Sequence, residues 1–231
     1  MKTQTFFALA ASVFAVASAS AGQPNTLSDS EKKDGWKLLF DGKSFNNWRV
    51  YRKEGPPDKG WAIKDGALTC VKGGKGGNLI TRDQFTDYEF SWEWKIPPRS
   101  NNGVKYMVEE KHGGPIGHEY QLIDDALVKN HAESSCASFY LVVAPDENKK
   151  VMPFGEWNHS KISVKGNHVE HWLNGGKVLE YELGDPEILA QVKKTKFKNV
   201  EGFGTKKTAH IVLTYHNDEC AFRNIKIREL K

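Results

Sequence analysis

Cysteine is scarce in this 231-residue chain: only three are present. That is too few for a disulfide scaffold in a chain of this size. Cys70, Cys136 and Cys220 are an odd set, open to any of three pairings. Each lies in an apolar, strand-like run, which favours three small buried side chains over a bridge. An excess of one charge is also missing. Lys and Arg number 33 against 29 Asp and Glu, a net +4, and the basic residues are scattered. Phosphate binding needs a concentrated basic stripe, so nucleic acid is excluded as a partner. There is no G-x-S-x-G elbow. The Gly-rich run Val71 to Gly77 lacks the helix and the Ser/Thr of a phosphate loop. Long apolar runs are absent apart from Phe6 to Ala17, which is too short to span a bilayer. With Lys2 ahead of it, and Ala17-Ser18-Ala19 and Ala19-Ser20-Ala21 behind it, that run reads as a secretory signal peptide over residues 1–21. Export to the periplasm or the extracellular space is therefore expected.

What is present is mostly β pattern. Phe90, Trp92 and Trp94 alternate with polar residues, as do Val104, Tyr106 and Val108, and Ile162 and Val164. Asp65-Gly66, Gly166-Asn167, Asn174-Gly175 and Asn217-Asp218 separate such runs and tolerate the positive φ of hairpin turns. Ser28-Asp29-Ser30-Glu31 is a capping box, followed by Gly35, and predicts a short helix. Asp185-Pro186 predicts another, closed by Lys193 and Lys194. About twelve strands and two short helices, joined mostly through hairpins, describe an all-β fold: an antiparallel two-sheet sandwich of jelly-roll type. With no repeat and one composition regime, the expected organisation is a linker and short helix over residues 22–34 and a single domain over 35–231. Arg52 to Lys59, Val71 to Asn78, His112 to Gly117 and Asp124 to Ser135 should be loops.

Polar residues on otherwise apolar strands mark the candidate site. If Tyr120 and Leu122 face the core, Glu119 and Gln121 share the other face. Lys105 and Glu93 stand in the same relation to their own strands, and so do His210, Thr214 and His216 near the C-terminus. Were these strands in one sheet, the face would collect acid, amide, ammonium and imidazole. Seven Trp and seven Tyr add flat surfaces on which sugar rings stack. For metals, His112, His118, Glu119 and Asp124 are the best mixed set of donors, and a divalent ion is kept open as a cofactor. His168 and His171 lie three apart on a strand, hence on opposite faces, and do not share an ion.

Six ordered blocks carry a resemblance. They are Gly35-Trp36-Lys37-Leu38-Leu39-Phe40-Asp41-Gly42-Lys43, Asn102-Gly103-Val104-Lys105-Tyr106, Gly117 to Asp125 (GHEYQLIDD), Gly155-Glu156-Trp157-Asn158, His171-Trp172-Leu173-Asn174-Gly175 and Phe222 to Ile227 (FRNIKI). Together, over about Gly35 to Leu230, the chain resembles the 3-keto-disaccharide hydrolase domain family. The resemblance implies a concanavalin-like jelly roll, export in bacteria and action on 3-keto-glycosides. It carries an E-x-Q-x-x-D pattern onto Glu119, Gln121 and Asp124, and an Asn-Gly-Val-Lys block onto Asn102 to Lys105. Where relatives tend to read L-Q-D-H, this chain has Leu213-Thr214-Tyr215-His216.

A ketone at C3 acidifies the C2 proton and sets the glycosidic oxygen β to the carbanion. Elimination followed by hydration then gives net hydrolysis. That path needs a base, a cation or donor at the enolate oxygen, and an acid at the leaving oxygen. The expected assignments are Glu119 or His216 as base and Lys105 at the enolate, a role a metal could also fill. Gln121, Asp124, Asn102 and Thr214 would bind the sugar. Glu93, as a binding residue or as a second carboxylate with Glu119, would permit ordinary glycoside hydrolysis. The substrate partner is a glycan or keto-sugar, with a sugar oxidoreductase acting upstream. The contrasting expectations are a non-catalytic glycan-binding module or an interaction domain of the cell envelope.

Overall fold

The computed structural model describes residues 23–231; the signal-peptide reading of residues 1–21 lies outside the described residues. The capping box is in place. The Ser28 side chain accepts from the Glu31 amide, and the Glu31 carboxylate accepts from the Ser28 amide, opening α1 (Asp29–Lys33). Gly35 follows at φ 84°. Asp185 caps α2 (Pro186–Val192), with Pro186 at its start, as the sequence predicts.

Two short 3₁₀ turns, Asp125–Leu127 and Ala132–Ser134, lie in the predicted Asp124 to Ser135 loop, and the remaining regular elements are strands. β1 (Lys37–Leu38), β3 (Trp61–Lys64), β4 (Ala67–Cys70), β6 (Tyr88–Lys95), β9 (Asn158–Lys165), β10 (His168–Leu173), β11 (Gly176–Glu182) and β13 (Cys220–Glu229) form a large sheet. Its order is β11-β10-β9-β6-β13-β4-β3, with β1 paired to β13. β2 (Trp48–Val50), β5 (Leu79–Thr81), β7 (Asn101–Val108), β8 (His118–Ile123) and β12 (His210–Leu213) form a small sheet ordered β2-β5-β12-β7-β8. All pairings are antiparallel. The two sheets face each other across Trp48, Phe90, Trp92, Trp94, Tyr106, Tyr120, Phe139 and Phe222, all fully buried. This is the two-sheet sandwich of jelly-roll type that the alternation predicts. No helix among the described residues is long and apolar enough to cross a membrane.

The alternation fails in β7, and the register also shifts in β10 and in β13. Met107 has φ 56°, and the β7–β12 register shifts between His210 and Val212. The bulge turns Met107 into the main core and leaves Val108 in a separate cluster with Ile80 and Val212, against the reading that set Val108 with Tyr106. The three cysteines are buried and free, as expected of small apolar side chains. Cys70 and Cys220 are cross-strand neighbours, and burial pushes the Cys70 and Cys136 thiols up to about 12.

A chain of polar groups crosses the core and bolts the sheets together. His171 Nδ1 lies 2.9 Å from the Ala137 carbonyl, so it must carry the proton and donate. Its Nε2 then accepts from the Tyr106 hydroxyl at 2.8 Å. The Tyr106 oxygen in turn accepts from Tyr181 at 2.7 Å, and Tyr181 accepts from His118 Nδ1 at 2.9 Å. His118 Nε2 finally accepts the Gly204 amide at 3.0 Å. One tautomer at each histidine satisfies every link. Burial holds His118 down to about 3 and His171 down to about 4, so both are neutral at pH 7. Below the ordinary histidine value of 6.5 the unfolded chain therefore binds more protons than the folded one, and stability falls with pH through that window. We expect both imidazole rings to stay neutral, by NMR, as the pH is lowered through 6.5. We also expect Tyr106→Phe, which leaves His171 Nε2 and the Tyr181 hydroxyl without their partner, to cost about 2–4 kcal/mol in urea denaturation at pH 7.

Candidate functional site

The outward face of the small sheet carries the site. Residues opposite one another in an antiparallel pair share a face. The register Arg49↔Ile80↔Val212↔Lys105↔Glu119 therefore lays one row across all five strands. The β2 end of the row is closed off. Arg49 holds Glu110 through two hydrogen bonds of 2.9 and 2.6 Å, which depresses the Glu110 carboxyl to about 2. Tyr51 packs on the Ile80–Val108–Val212 cluster, and its hydroxyl donates to the His112 and Gly114 carbonyls. The β8 end is where the functional groups gather.

There Lys105 and Glu119 face each other, Nζ to Oε2 at 3.6 Å, with side chains only 18% and 7% exposed. Lys105 also donates to the Pro115 carbonyl at 3.1 Å, so the loop after β7 helps to aim it. Glu119 leans over Gly103, where a Cβ would collide with Oε1; glycine at 103 makes the seat for the carboxylate. In the neighbouring row Gly103 opposes Gln121, whose amide donates to Asn101 Oδ1 at 3.2 Å. Thr214 is buried beside them, its amide and hydroxyl both donating to the Gly103 carbonyl, at 3.0 and 3.2 Å. His216 stands exposed at the rim. Desolvation lowers its pKa; Glu119 pulls the other way and Lys105 adds to the depression, so the ring is neutral at pH 7 and within reach of both groups' fields. Asp218 accepts the Asn101 amide at 3.1 Å and closes this corner.

Glu119, Lys105, Gln121, Thr214 and His216 are thus brought together. His210 stays apart, at the start of β12 opposite Val108, with its ring on Gln84 and the Asp83 carbonyl, and three further sequence candidates are also not among them. Glu93 lies on β6 of the large sheet, facing away from the core, bound to Arg223 and Asn224 at 2.7 Å each. It belongs to the opposite side of the sandwich from Glu119, so the two are not a catalytic pair. Asn102 opposes Leu122 and is fully buried with both amide atoms unpartnered; it sits inside the sandwich and cannot bind substrate on the outer face. Asp124 has each carboxylate oxygen committed to a backbone amide, Ala126 at 3.0 Å and Arg99 at 2.9 Å. It caps the turn after β8 and borders an apolar cavity of about 200 Å³ with Trp94, Ile123 and Phe154. Neither Glu119, Gln121 nor Lys105 lines that cavity.

The metal reading is corrected as well. His118 has both ring nitrogens committed inside the core, on the opposite face of β8 from Glu119, and Asp124 is capped as described. The set His112, His118, Glu119 and Asp124 therefore does not converge on one point. Among the described residues the His/carboxylate group with donor atoms close enough for an ion is His168, Glu170 and Glu180, on the large sheet. Lys177 already sits between the two carboxylates. His171 is in the core and His168 outside, as the strand period requires.

One residue of the face escaped sequence reading. The chain folds back along the free edge of β8, where Phe139 bridges Tyr120 and the Tyr140 amide donates to the Glu119 carbonyl at 3.0 Å. Tyr140 thereby stands directly opposite Glu119. The segment has no strand period longer than Ser138-Phe139-Tyr140, so the sequence gives little signal for it.

A recessed carboxylate, ammonium and amide with an imidazole at the rim, all on one sheet face of a jelly-roll sandwich, suit the binding and turnover of a polar substrate such as a sugar. The comparisons with known proteins agree. The family model for the 3-keto-alpha-glucoside-1,2-lyase-like domain matches residues 35–228. A Bacteroides thetaiotaomicron protein named 3-keto-disaccharide hydrolase is 31% identical, over 85% of this chain and 79% of its own length. Among solved structures, a Parabacteroides distasonis protein classed as a glycosyl hydrolase superposes with a TM-score of 0.81 at 31% identity, covering 90% of this chain and 100% of the other. A second from the same organism gives 0.65 at 27% identity, covering 84% and 99%. The chain belongs to the 3-keto-alpha-glucoside-1,2-lyase-like family, and it is an enzyme of the glycoside hydrolase type.

Because Glu119 rests where a Gly103 Cβ would be, Gly103→Ala must displace the carboxylate. We expect glycoside cleavage to fall at least about 100-fold, with the hydrogen bonds of β7 intact and a cooperative melt retained.

Proposed function

We propose that the protein cleaves the glycosidic bond of 3-keto-glycosides, keto-disaccharides among them, by proton abstraction at C2, β-elimination and hydration. The observation that carries this reading is the spacing of Lys105 and Glu119, 3.6 Å apart on neighbouring strands. In a 3-keto sugar the C2 proton and the C3 oxygen sit on adjacent carbons. Base and enolate-stabilising cation must then be neighbours, recessed from water and on one face. An ordinary retaining or inverting glycosidase needs two carboxyl groups flanking the bond instead, and Glu93, the second carboxylate the sequence offered, is on the other side of the molecule.

Glu119 is the base in this scheme. Its carboxylate takes the C2 proton, and charge develops on the C3 oxygen against the Lys105 ammonium. The C1–O bond then breaks and C1=C2 forms; water adds to C1, and C2 recovers a proton. Gln121 and Asn101 offer an amide pair, and His216 a neutral imidazole, to the sugar hydroxyls. Name and family of the relatives support the substrate class. Export through the signal peptide, and an upstream oxidoreductase that makes the ketone, belong to the same proposal. The keto-sugar cannot arise from hydrolysis itself.

The purified chain should cleave a 3-keto-glucoside and leave its unoxidised parent intact, and a chelator should not change the rate. Glu119→Gln should lower kcat by about 10²–10⁴-fold and retain the wild-type melting curve. His216→Ala should act chiefly on KM. Since the folded His216 titrates below the ordinary 6.5, KM should be flat at neutral pH and rise only as the pH falls beneath that value. Cleavage of the parent sugar, or unaltered turnover in Glu119→Gln, would overturn the reading.

A further inference from the structure

Elimination leaves one role unfilled: the leaving oxygen must acquire a proton. We propose that the Tyr140 hydroxyl is the group that donates it. This rests on the keto-glycoside reading above and adds the acid to it.

Four observations place Tyr140. First, the register about the Tyr120↔Phe139 bridge sets it opposite Glu119. The outward row of the small sheet then continues Lys105, Glu119, Tyr140, with the base between the cation and the phenol. Phe139 is fully buried in the core while Tyr140 is half-buried, as alternation across that edge requires. Second, the segment is held in a costly conformation. Ala137 and Leu141 both have positive φ, 68° and 67°, in the left-handed region that alanine and leucine disfavour. Such strain persists only where surrounding structure enforces it, and it collects at functional sites. Here the enforcement is visible: the Ala137 carbonyl accepts from His171 at 2.9 Å in the core, and the Leu141 amide donates to the Glu133 carbonyl at 2.7 Å. Third, the hydroxyls of Tyr51, Tyr106, Tyr120, Tyr181 and Tyr215 all have protein partners and that of Tyr88 is sealed in the core without one, whereas Tyr140 has no hydroxyl partner among the described residues and is only half-buried. Fourth, Lys196 lies over the Tyr140 ring at 4.8 Å, a cation placed to balance the phenolate that proton transfer creates.

The titration of the group is consistent with an acid. Burial and the Glu119 carboxylate both raise the Tyr140 pKa, so the phenol is protonated at neutral pH. The step balances. After Glu119 has taken the C2 proton, the C1–O electron pair goes to the departing oxygen, which takes the Tyr140 proton; a phenolate remains. When water adds to C1, its proton returns to that phenolate. Glu119 gives its proton back to C2, so both groups end as they began.

An acid at the leaving oxygen matters in proportion to the basicity of the leaving group. The test compares Tyr140→Phe with wild type on two substrates: a 3-keto-disaccharide, whose leaving alkoxide needs the proton, and a 4-nitrophenyl 3-keto-glucoside, whose phenolate does not. We expect kcat on the disaccharide to fall by about 10²-fold or more and on the nitrophenyl substrate by less than about threefold, with the melting temperature unchanged. A structural role would lower both rates alike. Equal losses on the two substrates, or no loss on the disaccharide, would overturn the assignment while leaving the keto-glycoside reading standing. If wild type cleaves neither substrate, that reading falls and the assignment falls with it.

Discussion

The site depends on one buried polar chain, His171–Tyr106–Tyr181–His118, that crosses between the sheets. It holds β7 and β8 through Tyr106 and His118, β10 and β11 through His171 and Tyr181, and the strained Ala137 turn through its carbonyl. Those are the strands and the turn that carry Lys105, Glu119 and Tyr140. The two imidazoles are neutral because burial makes their charged forms costly. Only neutral rings can serve as donor at one nitrogen and acceptor at the other. The core thus fixes the tautomers, the tautomers fix the turn, and the turn brings a phenol beside a carboxylate on the far side of the sheet.

The face itself follows from two simple constraints. Antiparallel register places Lys105, Glu119 and Tyr140 side by side, and the absence of a Cβ at Gly103 lets the carboxylate lie down in the adjoining row. A recessed ion pair would ordinarily be an expensive way to stabilise a sheet. Its cost is understandable if the pair exists to act on a substrate whose acidic proton and developing oxyanion are themselves adjacent. The bulge at Met107 serves the same face: by turning Val108 out to meet Ile80 and Val212, it closes the β2 end of the row with an apolar pad under Tyr51.

Much of this was legible in the sequence, and the failures are instructive. Strand alternation gave the sandwich, its turns and both helix caps, and it put Glu119 and Gln121 on one face because Tyr120 and Leu122 had to be inside. The same rule, applied to Asn102 beside Val104, would have sent Asn102 into the core; the Asn-Gly-Val-Lys block obscured it. Glu93 was misplaced for a different reason. Alternation tells inside from outside but not which sheet a strand joins, and β6 pairs with β9 and β13 rather than β7. Asp124 looked like part of a ligand pattern, yet two backbone amides of neighbouring turns had claims on it that only the folded chain shows. Tyr140 was invisible because its position is set by a tight, strained segment held from the core, and no period marks such a segment.

The central claim is that Glu119 removes the C2 proton before the glycosidic bond breaks. The most direct measurement is the single-turnover rate of cleavage of a 3-keto-glucoside carrying deuterium at C2, set against the same sugar carrying hydrogen there. The account predicts slower cleavage of the deuterated sugar by the wild-type protein. Equal single-turnover rates for the two sugars would contradict it.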